Sequence, residues 1–411
     1  MRVVFDRCKA WLTAFLAMNA AIAVVLLLTN PYRLLPFVPD VRFLNDVKPM
    51  TYTHIGHMRF FDLSREQYDG LLLGSSRVAF GMDPSSHQLP EGSHAYNGAL
   101  FGAQMFELKS VFEHALATQK DLKFVIIGVD LFAFGSHFDE KPQPLEALIG
   151  KSQTDFIRQF KSLAFADILG MMETVFASVS RWPTKYLDRQ GMIRPDPFEE
   201  PSAYIGIFAP INLQPKQQEN RPTMAAPAPA KTDENPSKND TPKDDEAEGS
   251  KPFNILAQPN FIPGYRVSEK SLDALRWIVA ESKKRGIDVK MYLSPTYTPN
   301  GTRFAWDTFN RLGTWPQILE LRRRLAEIHP YWDFTLPGRY TEDPTLFLNA
   351  GHQHPKLGNL ILAQIYGAGP TVVDPDFGYY VDAARVDAYL AHVDKTFKAW
   401  VQRHSVQKAE P

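Results

Sequence analysis

Serine and histidine, the two residue types of many nucleophilic enzymes, stand in two short blocks far apart in the chain. The block "GSSR" holds Ser75 and Ser76 directly after the apolar run "LLL", and the block "NAGHQHPKLG" holds His352 and His354. A serine hydroxyl is a weak nucleophile until a base takes its proton, so this chemistry needs a histidine within about 3 Å of the serine in the fold. The plainer interpretation is that both serines are turn residues whose hydroxyls bind nearby backbone groups.

The elements around these blocks predict an α/β fold with a central parallel sheet. Short apolar runs alternate with stretches in which apolar residues recur at helical spacing, which is typical of a parallel sheet covered by helices. The predicted strands are 68–74, 94–100, 122–130, 288–295 and 331–335. The predicted helices are 105–118, the stretch between the N-cap Ser268 and the C-cap Gly286, 314–330, 355–367 and about 381–402.

Four polar blocks follow these strands. "GSSR" follows the first strand, "NGALFG" the second and "GVD" the third, while "FLNAGHQHPKLG" directly precedes the helix after the last strand. Open parallel sheets bind ligands in the crevice beyond the carboxyl ends of their strands. We therefore expect all four blocks at one rim of the sheet.

The N-terminus predicts a membrane helix. Residues 11–29 carry no charge and are just long enough to cross a hydrocarbon core of about 30 Å. The residues before this stretch include three basic ones, Arg2, Arg7 and Lys9, and one acidic one, Asp6. The positive-inside bias therefore keeps the N-terminus in the cytoplasm. We expect an uncleaved, single-pass signal anchor in the inner (cytoplasmic) membrane, with the globular part on the periplasmic, extracytoplasmic side. A cleaved signal peptide and a buried helix are the alternatives.

Charge and cysteine content exclude several function classes. The formal net charge is -1 and no basic face is apparent, so nucleic acid is not an expected partner. The single cysteine, Cys8, excludes an intramolecular disulfide and a multi-cysteine metal site. A zinc site built on His352 and His354 lacks an identifiable third ligand, so we predict no metal and no cofactor.

The order of the blocks resembles a known superfamily. "LLLGSSRVAFGMDP", "YNGALFG", "IIGVDLFAFG" and "NAGHQHPKLGNLIL" look like the SGNH, or GDSL-type, hydrolases. More narrowly, they are similar to the membrane-anchored, exported branch that includes the alginate O-acetylation proteins and the D-alanyl transfer protein of lipoteichoic acid synthesis. The resemblance implies a three-layer sandwich around a central parallel sheet of the SGNH or flavodoxin-like kind.

The resemblance assigns roles to the residues near the first three strands. It makes Ser76 the nucleophile, with Ser75 in place of the family's aspartate. The backbone N–H groups of Ser76 and Gly102 become the oxyanion donors, Gly102 as the start of the helix after the second strand. Asp130 stands where the family has an asparagine as third donor, and a carboxylate there would repel an oxyanion. Arg77 would either bind an anionic substrate or be an exposed turn residue.

The base is open between two histidines. One register of the family's spacing makes His352 the base and places Asn349 where the family has aspartate, and this is the register we prefer. The other makes His354 the base, with Gly351 in that position and nothing to orient the ring. An asparagine can accept a hydrogen bond from the imidazole and fix its tautomer, but it cannot stabilise the imidazolium by charge, so we expect slow turnover.

The chain divides into six predicted segments. The middle of the insertion is rich in Pro, Lys, Asp, Glu and Ala and almost free of large apolar residues, which predicts disorder. The segments are a signal anchor (1–30), a spacer (31–65), the two parts of the core (66–135 and 266–370), an insertion with helical flanks and a disordered stretch (136–265, disordered over 214–252), and a C-terminal helical extension (371–411).

These observations lead to one preferred function and two others. The first is a membrane-anchored extracytoplasmic serine esterase or O-acyltransferase that acts through an acyl-serine intermediate. The resemblance implies cell-envelope or exported polysaccharide as acyl acceptor, and a membrane-bound O-acyltransferase as a candidate partner. The alternative from another class is a non-catalytic polysaccharide-binding or assembly component that keeps the fold. A third hypothesis is an intracellular esterase whose N-terminal helix is buried.

Overall fold

A computed structural model describes most of the chain as a mixed α/β protein with an apolar N-terminal helix. The described residues are 2–35, 37–158, 167–181, 183–194, 263–298, 306–367 and 377–407. The stretch 214–252, predicted to be disordered, lies outside them, as does part of each flank of the insertion.

The central sheet has six strands and is mostly parallel. Its strands are β1 (Gly70–Leu73), β2 (Ala95–Asn97), β3 (Phe124–Val129), β6 (Asp288–Leu293), β7 (Tyr331–Asp333) and β10 (Tyr379–Val381). They lie in the order β2-β1-β3-β6-β7-β10, and only the pair of β7 with β10 is antiparallel. The five parallel strands are those that the apolar runs predict, whereas the edge strand β10 was not predicted.

Two small hairpins stand beside the central sheet. Tyr186–Leu187 (β4) pairs with Ile193–Arg194 (β5), and Phe347–Asn349 (β8) pairs with His352–Gln353 (β9), both antiparallel. In the second hairpin Asn349 lies opposite His352. Strands of two and three residues are too short to show a period, so the sequence does not predict this hairpin.

The predicted helices agree with the structure within a few residues. Ser268 Oγ accepts the N–H of Ser271, and Gly286 ends the same helix with a φ of 70°, which confirms both predicted caps. The helices described over their whole length are α1 (Arg2–Thr29), α2 (Pro49–Thr53), α3 (Ile55–Arg65), α4 (Ser76–Gly81), α5 (Met105–Thr118), α6 (Ile168–Ser180), α7 (Glu269–Arg285), α8 (Trp306–Leu312), α9 (Trp315–Ile328), α10 (Pro355–Tyr366) and α11 (Val386–Gln407).

Helix α1 is long and apolar enough to cross a membrane. Its stretch Arg7–Thr29 has 23 residues, which at 1.5 Å per residue is about 35 Å. The described side chains of this stretch are almost all exposed, with Trp11 at 77%. The buried-helix alternative therefore does not fit this helix.

Residues 31–65 form part of the core and are more than a spacer. Helix α3 buries Phe60, Phe61 and Leu63 completely. Its Arg59 is also fully buried, and its Nε donates a hydrogen bond to the Ala99 carbonyl oxygen at 3.1 Å. The prolines within this stretch suggested an irregular spacer, but all of them precede α3, the helix that packs.

Helices α4 and α10 touch at two glycines. A side chain at Gly358 in α10 would overlap the carbonyl oxygen of Gly81 at the end of α4. Backbone atoms cannot move aside as a flexible side chain can, so only glycine allows this approach. The contact fixes α10, which follows the His352 hairpin, against α4, which begins at Ser76.

We expect Gly358→Ala to lower the free energy of unfolding by about 2 kcal/mol, because the added methyl group forces α10 away from α4. Thermal unfolding of the full chain in detergent should show a midpoint several degrees lower. Gly338→Ala is the matched control, since no described atom lies within 4 Å of its Cβ position. Equal midpoints for the two variants would contradict the close contact.

Candidate active site

Ser76 stands at the point where the order of the parallel strands reverses. From β1 the chain continues to β2 on one side of the sheet, and from β3 it continues to β6 on the other, which opens a crevice between the carboxyl ends of β1 and β3. Ser75 is the N-cap of α4, and its Oγ accepts the N–H of Arg77 at 3.2 Å. Ser76, the first residue of α4, is partly exposed between buried neighbours.

Two strand glycines let α4 lie close to the sheet. A Cβ atom at Gly74 or at Gly128 would overlap the side chain of Val78 on the first turns of α4. Gly74 follows β1 and Gly128 lies near the end of β3. The glycines in "GSSR" and "IIGVD" therefore set the height at which the helix, and with it Ser76, sits above the strands.

The β8–β9 hairpin brings His352 to Ser76. The Nε2 atom of His352 lies 2.8 Å from Ser76 Oγ, and its Nδ1 atom lies 2.9 Å from Asn349 Oδ1. The structure thus brings together three predicted site residues that are far apart in sequence. The histidine that contacts Ser76 is His352, which is the base in the preferred register.

Backbone contacts fix the orientation of the Asn349 amide. Its Oδ1 also accepts the N–H groups of Gly351 at 2.8 Å and of His352 at 3.1 Å. Since a backbone N–H can only donate, the oxygen must face them, and His352 Nδ1 must then carry the proton that it shares with Oδ1. The Nε2 atom is left with a lone pair directed at the Ser76 hydroxyl, as a general base requires.

Burial and a neighbouring cation make His352 a weak base. Desolvation of the ring and the positive charge of Arg77 lower the pKa of His352 to about 3. Phe80 packs edge-on against the ring, with the two centroids 5.4 Å apart. The imidazole is therefore neutral at ordinary pH, and Asn349 provides no negative charge that would stabilise the imidazolium.

Arg77 is buried and paired with Asp130. One of its terminal nitrogens lies 2.8 Å from Asp130 Oδ1, and its Nε donates to the Gly351 carbonyl oxygen at 2.9 Å. The Arg77 side chain is 8% exposed and that of Asp130 is 1% exposed. An exposed turn arginine is therefore wrong. Asp130 accepts from a guanidinium here, so its side chain does not fit the role of an oxyanion donor.

Through these two bonds Arg77 joins three parts of the site. It lies in α4 beside the nucleophile, Asp130 follows β3, and Gly351 is in the turn of the β8–β9 hairpin. A buried ion pair with good geometry holds its partners firmly, because separating them would leave a charge without compensation. Arg77 is thus a positioning residue for the contact between Ser76 and His352.

Gly102 lies in a loop and does not begin a helix. Helix α5 starts at Met105 with Gln104 as its N-cap, so the predicted position of Gly102 is wrong by three residues. Gly102 has a φ of 59°, the left-handed conformation that glycine adopts without strain. The loop is held beside the end of β1, where the Leu100 N–H donates to the Gly74 carbonyl oxygen at 3.0 Å.

Asn97, which the sequence analysis did not single out, supports α4 from β2. Its Nδ2 donates to the carbonyl oxygens of Val78 at 3.0 Å and of Met82 at 2.9 Å, and the residue is completely buried. The Val78 carbonyl oxygen also accepts the Met82 N–H at 3.0 Å, and Met82 is the C-cap of α4, so the amide joins β2 to the C-terminal end of this helix. An asparagine at the end of an apolar strand was the available signal, because a buried amide needs partners.

His354 has a structural role at the start of α10. It is the N-cap of this helix, and its Nδ1 accepts the N–H of Lys356 at 2.8 Å. Within the described ranges there is also no group of three or more His, Cys, Asp or Glu side chains that could hold a metal ion.

Comparison of the chain with protein-family models, with characterised proteins and with solved structures finds no match.

We expect Arg77→Leu to lower the free energy of unfolding by about 3 kcal/mol, because it leaves the Asp130 carboxylate buried without a partner. Adding Asp130→Asn to that variant should recover more than half of the loss, since a neutral amide costs less to bury. Chemical unfolding of the wild type, both single variants and the double variant gives the coupling energy. Strictly additive effects would show that the two side chains do not interact.

Proposed function

We propose that the chain is a membrane-anchored serine esterase or O-acyltransferase that works through an acyl-serine at Ser76. The observation that carries this proposal is the chain of contacts from Ser76 Oγ to His352 Nε2 and from His352 Nδ1 to Asn349 Oδ1. The strand order and the position of Ser76 also suit the three-layer, SGNH-type sandwich that the sequence resembles. No cofactor or metal is needed for this chemistry.

In the first half of the reaction an acyl group moves to Ser76. His352 Nε2 takes the hydroxyl proton as Ser76 Oγ attacks the carbonyl carbon of the acyl donor, which gives a tetrahedral intermediate. The intermediate collapses when His352 returns that proton to the leaving oxygen. An imidazolium whose pKa is low is a strong acid, so the return step is favoured and the first proton transfer is the difficult one.

The developing oxyanion needs hydrogen-bond donors in this site. The Ser76 N–H belongs to the first turn of α4 and has no acceptor within the helix. We assign it as one donor and the N–H of Gly102 as the second. The third position, which the resemblance gives to an asparagine, is occupied by the Asp130 carboxylate paired with Arg77.

In the second half the acyl-serine passes to an acceptor. If the acceptor is water the enzyme is a hydrolase, and if it is a sugar hydroxyl the enzyme is a transferase. The same residues serve both reactions, and the two enzymes differ only in how water is excluded from the acyl-serine. We propose cell-envelope or exported polysaccharide as the acceptor, and a membrane-bound O-acyltransferase as the partner that would supply acyl groups. Both assignments rest on the resemblance of the four sequence blocks.

We propose that α1 anchors the enzyme in the inner membrane. The helix has the length and composition of a membrane span, and Arg7 and Lys9 lie at its N-terminal side. Positive charges favour the cytoplasmic side, which would place the globular part in the periplasm or outside the cell. This orientation would give Ser76 access to exported substrates.

A non-catalytic binding or assembly component is the second candidate. Two observations favour it, the neutral Asn349 beside the base and the low pKa of His352, which burial of the ring and, to a lesser degree, the charge of Arg77 cause. Both disfavour the imidazolium that catalysis must form. The contact of 2.8 Å between Ser76 and His352 favours the enzyme.

Labelling with a fluorophosphonate, which reacts with activated serines, separates the two candidates. We expect the full chain in detergent to be labelled at one site and Ser76→Ala to lose essentially all of the label. Ser85→Ala is the matched control, because Ser85 is an exposed serine just beyond α4 whose hydroxyl binds Gln190. Absence of labelling, under conditions in which a known serine esterase reacts, would favour the binding component.

The pH dependence of labelling tests the strength of the base. His352 with a pKa of about 3 stays neutral, so the labelling rate should change less than twofold between pH 7 and pH 5.5. A histidine with the ordinary pKa of about 6.5 would lose about tenfold over the same range. Asn349→Asp should raise the pKa of His352 by about 1–3 units, because a carboxylate stabilises the imidazolium. That variant should therefore label faster at pH 7 and lose more of its rate at acidic pH.

Circular dichroism at each pH provides the control for folding in this series. A wild-type rate that falls about tenfold by pH 5.5, with the fold intact, would contradict the lowered pKa of His352.

A further inference from the structure

Helix α6 turns its large apolar side chains toward the outside. A helix of a water-soluble domain buries that face and exposes its polar one. Here five large apolar residues are between 51% and 78% exposed. They are Ile168, Leu169, Met172, Phe176 and Val179. Their spacing places them on one side of the helix, as a continuous patch of the kind that marks an interaction surface.

The opposite side of α6 is small or polar, and it is the side that packs. Gly170, Thr174, Ala177 and Ser178 are its buried residues. Ser178 Oγ accepts the N–H of Val47 at 3.0 Å, just before α2, and Asp167 caps the helix by accepting the N–H of Gly170 at 2.7 Å. These contacts fix the rotation of α6 about its own axis, and its apolar side therefore faces outward.

Helix α6 lies beside the membrane helix. Helices α1 and α6 are in contact. The hydroxyl of Tyr32, three residues after α1 ends, donates to Asp167 Oδ2 at 2.5 Å, and Asn45 Nδ2 donates to the Leu28 carbonyl oxygen at 2.7 Å. The start of α6 is thus bonded to the segment that directly follows the C-terminal end of α1.

The segment after α1 adds aromatic and basic residues to this surface. Phe37, Val41 and Phe43 are exposed. The guanidinium groups of Arg42 and Arg181 lie 4.9 Å and 4.5 Å from the centre of the Phe43 ring. Aromatic rings mixed with arginines are typical of the boundary between hydrocarbon and headgroups, where the ring enters the lipid and the cation stays in water.

We propose that the outward side of α6, together with residues 37–43, forms a membrane seat that lies in the interface of the lipid bilayer. A helix of 13 residues is about 20 Å long, which is too short to span a bilayer, so it lies along the surface. Lipid is the occupant that we assign, because α6 is in contact with α1, which lipid itself surrounds in the proposed location. This inference rests on the proposed location of α1 in the membrane.

The seat would give the globular part a second attachment beside α1. One helix alone leaves the domain free to tilt about the point where α1 ends. A second apolar contact with the same leaflet fixes which side faces the membrane, and hence the direction in which the Ser76 crevice opens.

Spin labels on the full chain in vesicles of phosphatidylethanolamine and phosphatidylglycerol test the seat. In a Cys8→Ser background, single cysteines replace Leu169 and Phe176 on the seat, Leu16 in α1, and Lys284 on the exposed side of α7. All four side chains are well exposed, so the replacements leave the core unchanged. Power saturation compares collision with oxygen, which concentrates in lipid, and with a nickel chelate, which stays in water.

We expect the ratio of oxygen to nickel collisions at positions 169 and 176 to be at least severalfold higher than at position 284 and to approach the ratio at position 16. A high ratio at 16, with 169 and 176 equal to 284, would overturn the seat and leave the membrane anchor intact. A ratio at 16 equal to that at 284 would overturn the anchor and the seat together. Labels at 169 and 176 that neither reagent reaches would show a protein partner there, which also overturns the assignment to lipid.

Discussion

The buried ion pair between Arg77 and Asp130 holds the candidate site together. Ser76 follows β1, Asp130 follows β3, and the turn at Gly351 belongs to a hairpin outside the central sheet. Nothing in the sheet ladder connects that hairpin to β1 or β3. The guanidinium makes this connection, since it bonds to Asp130 Oδ1 and to the Gly351 carbonyl oxygen at the same time. Together with the glycine contact of α4 with α10, it holds the hairpin where His352 Nε2 lies 2.8 Å from Ser76 Oγ.

The same pair accounts for two departures from the SGNH pattern that the sequence resembles. Arg77 stands where that pattern has a leucine, and Asp130 stands where it has an asparagine. Taken singly, each is a charge in a place where a charge is costly to bury. In contact at 2.8 Å they compensate each other. The ion pair therefore explains how both charged residues can be buried at this rim of the sheet.

The sequence predicted the parallel strands and most of the helices through apolar period and strand-end position, and the contact between Ser76 and His352 through the resemblance of its blocks. It did not predict the hairpin that orients His352, since strands this short have no period, nor the edge strand β10. Arg77 was misjudged because a turn arginine is usually exposed, and its burial follows from Asp130, 53 residues later in the chain. The buried helix α3 was not predicted because the segment before it is rich in proline. The partners of Asn97 and Arg59 are backbone carbonyl oxygens, and such partners cannot be predicted from residue types because every residue has a carbonyl group.

The position of the base and its strength have separate causes in this site. Asn349 fixes the tautomer and the ring of His352 through a neutral oxygen that three N–H groups share. Arg77 fixes the hairpin from which the ring projects, and its charge lowers the affinity of the ring for a proton. Both residues hold the base in place, and neither strengthens it. In the reaction we propose, the rate must therefore come from the short approach of the reacting atoms and from stabilisation of the oxyanion, since a stronger base is not available.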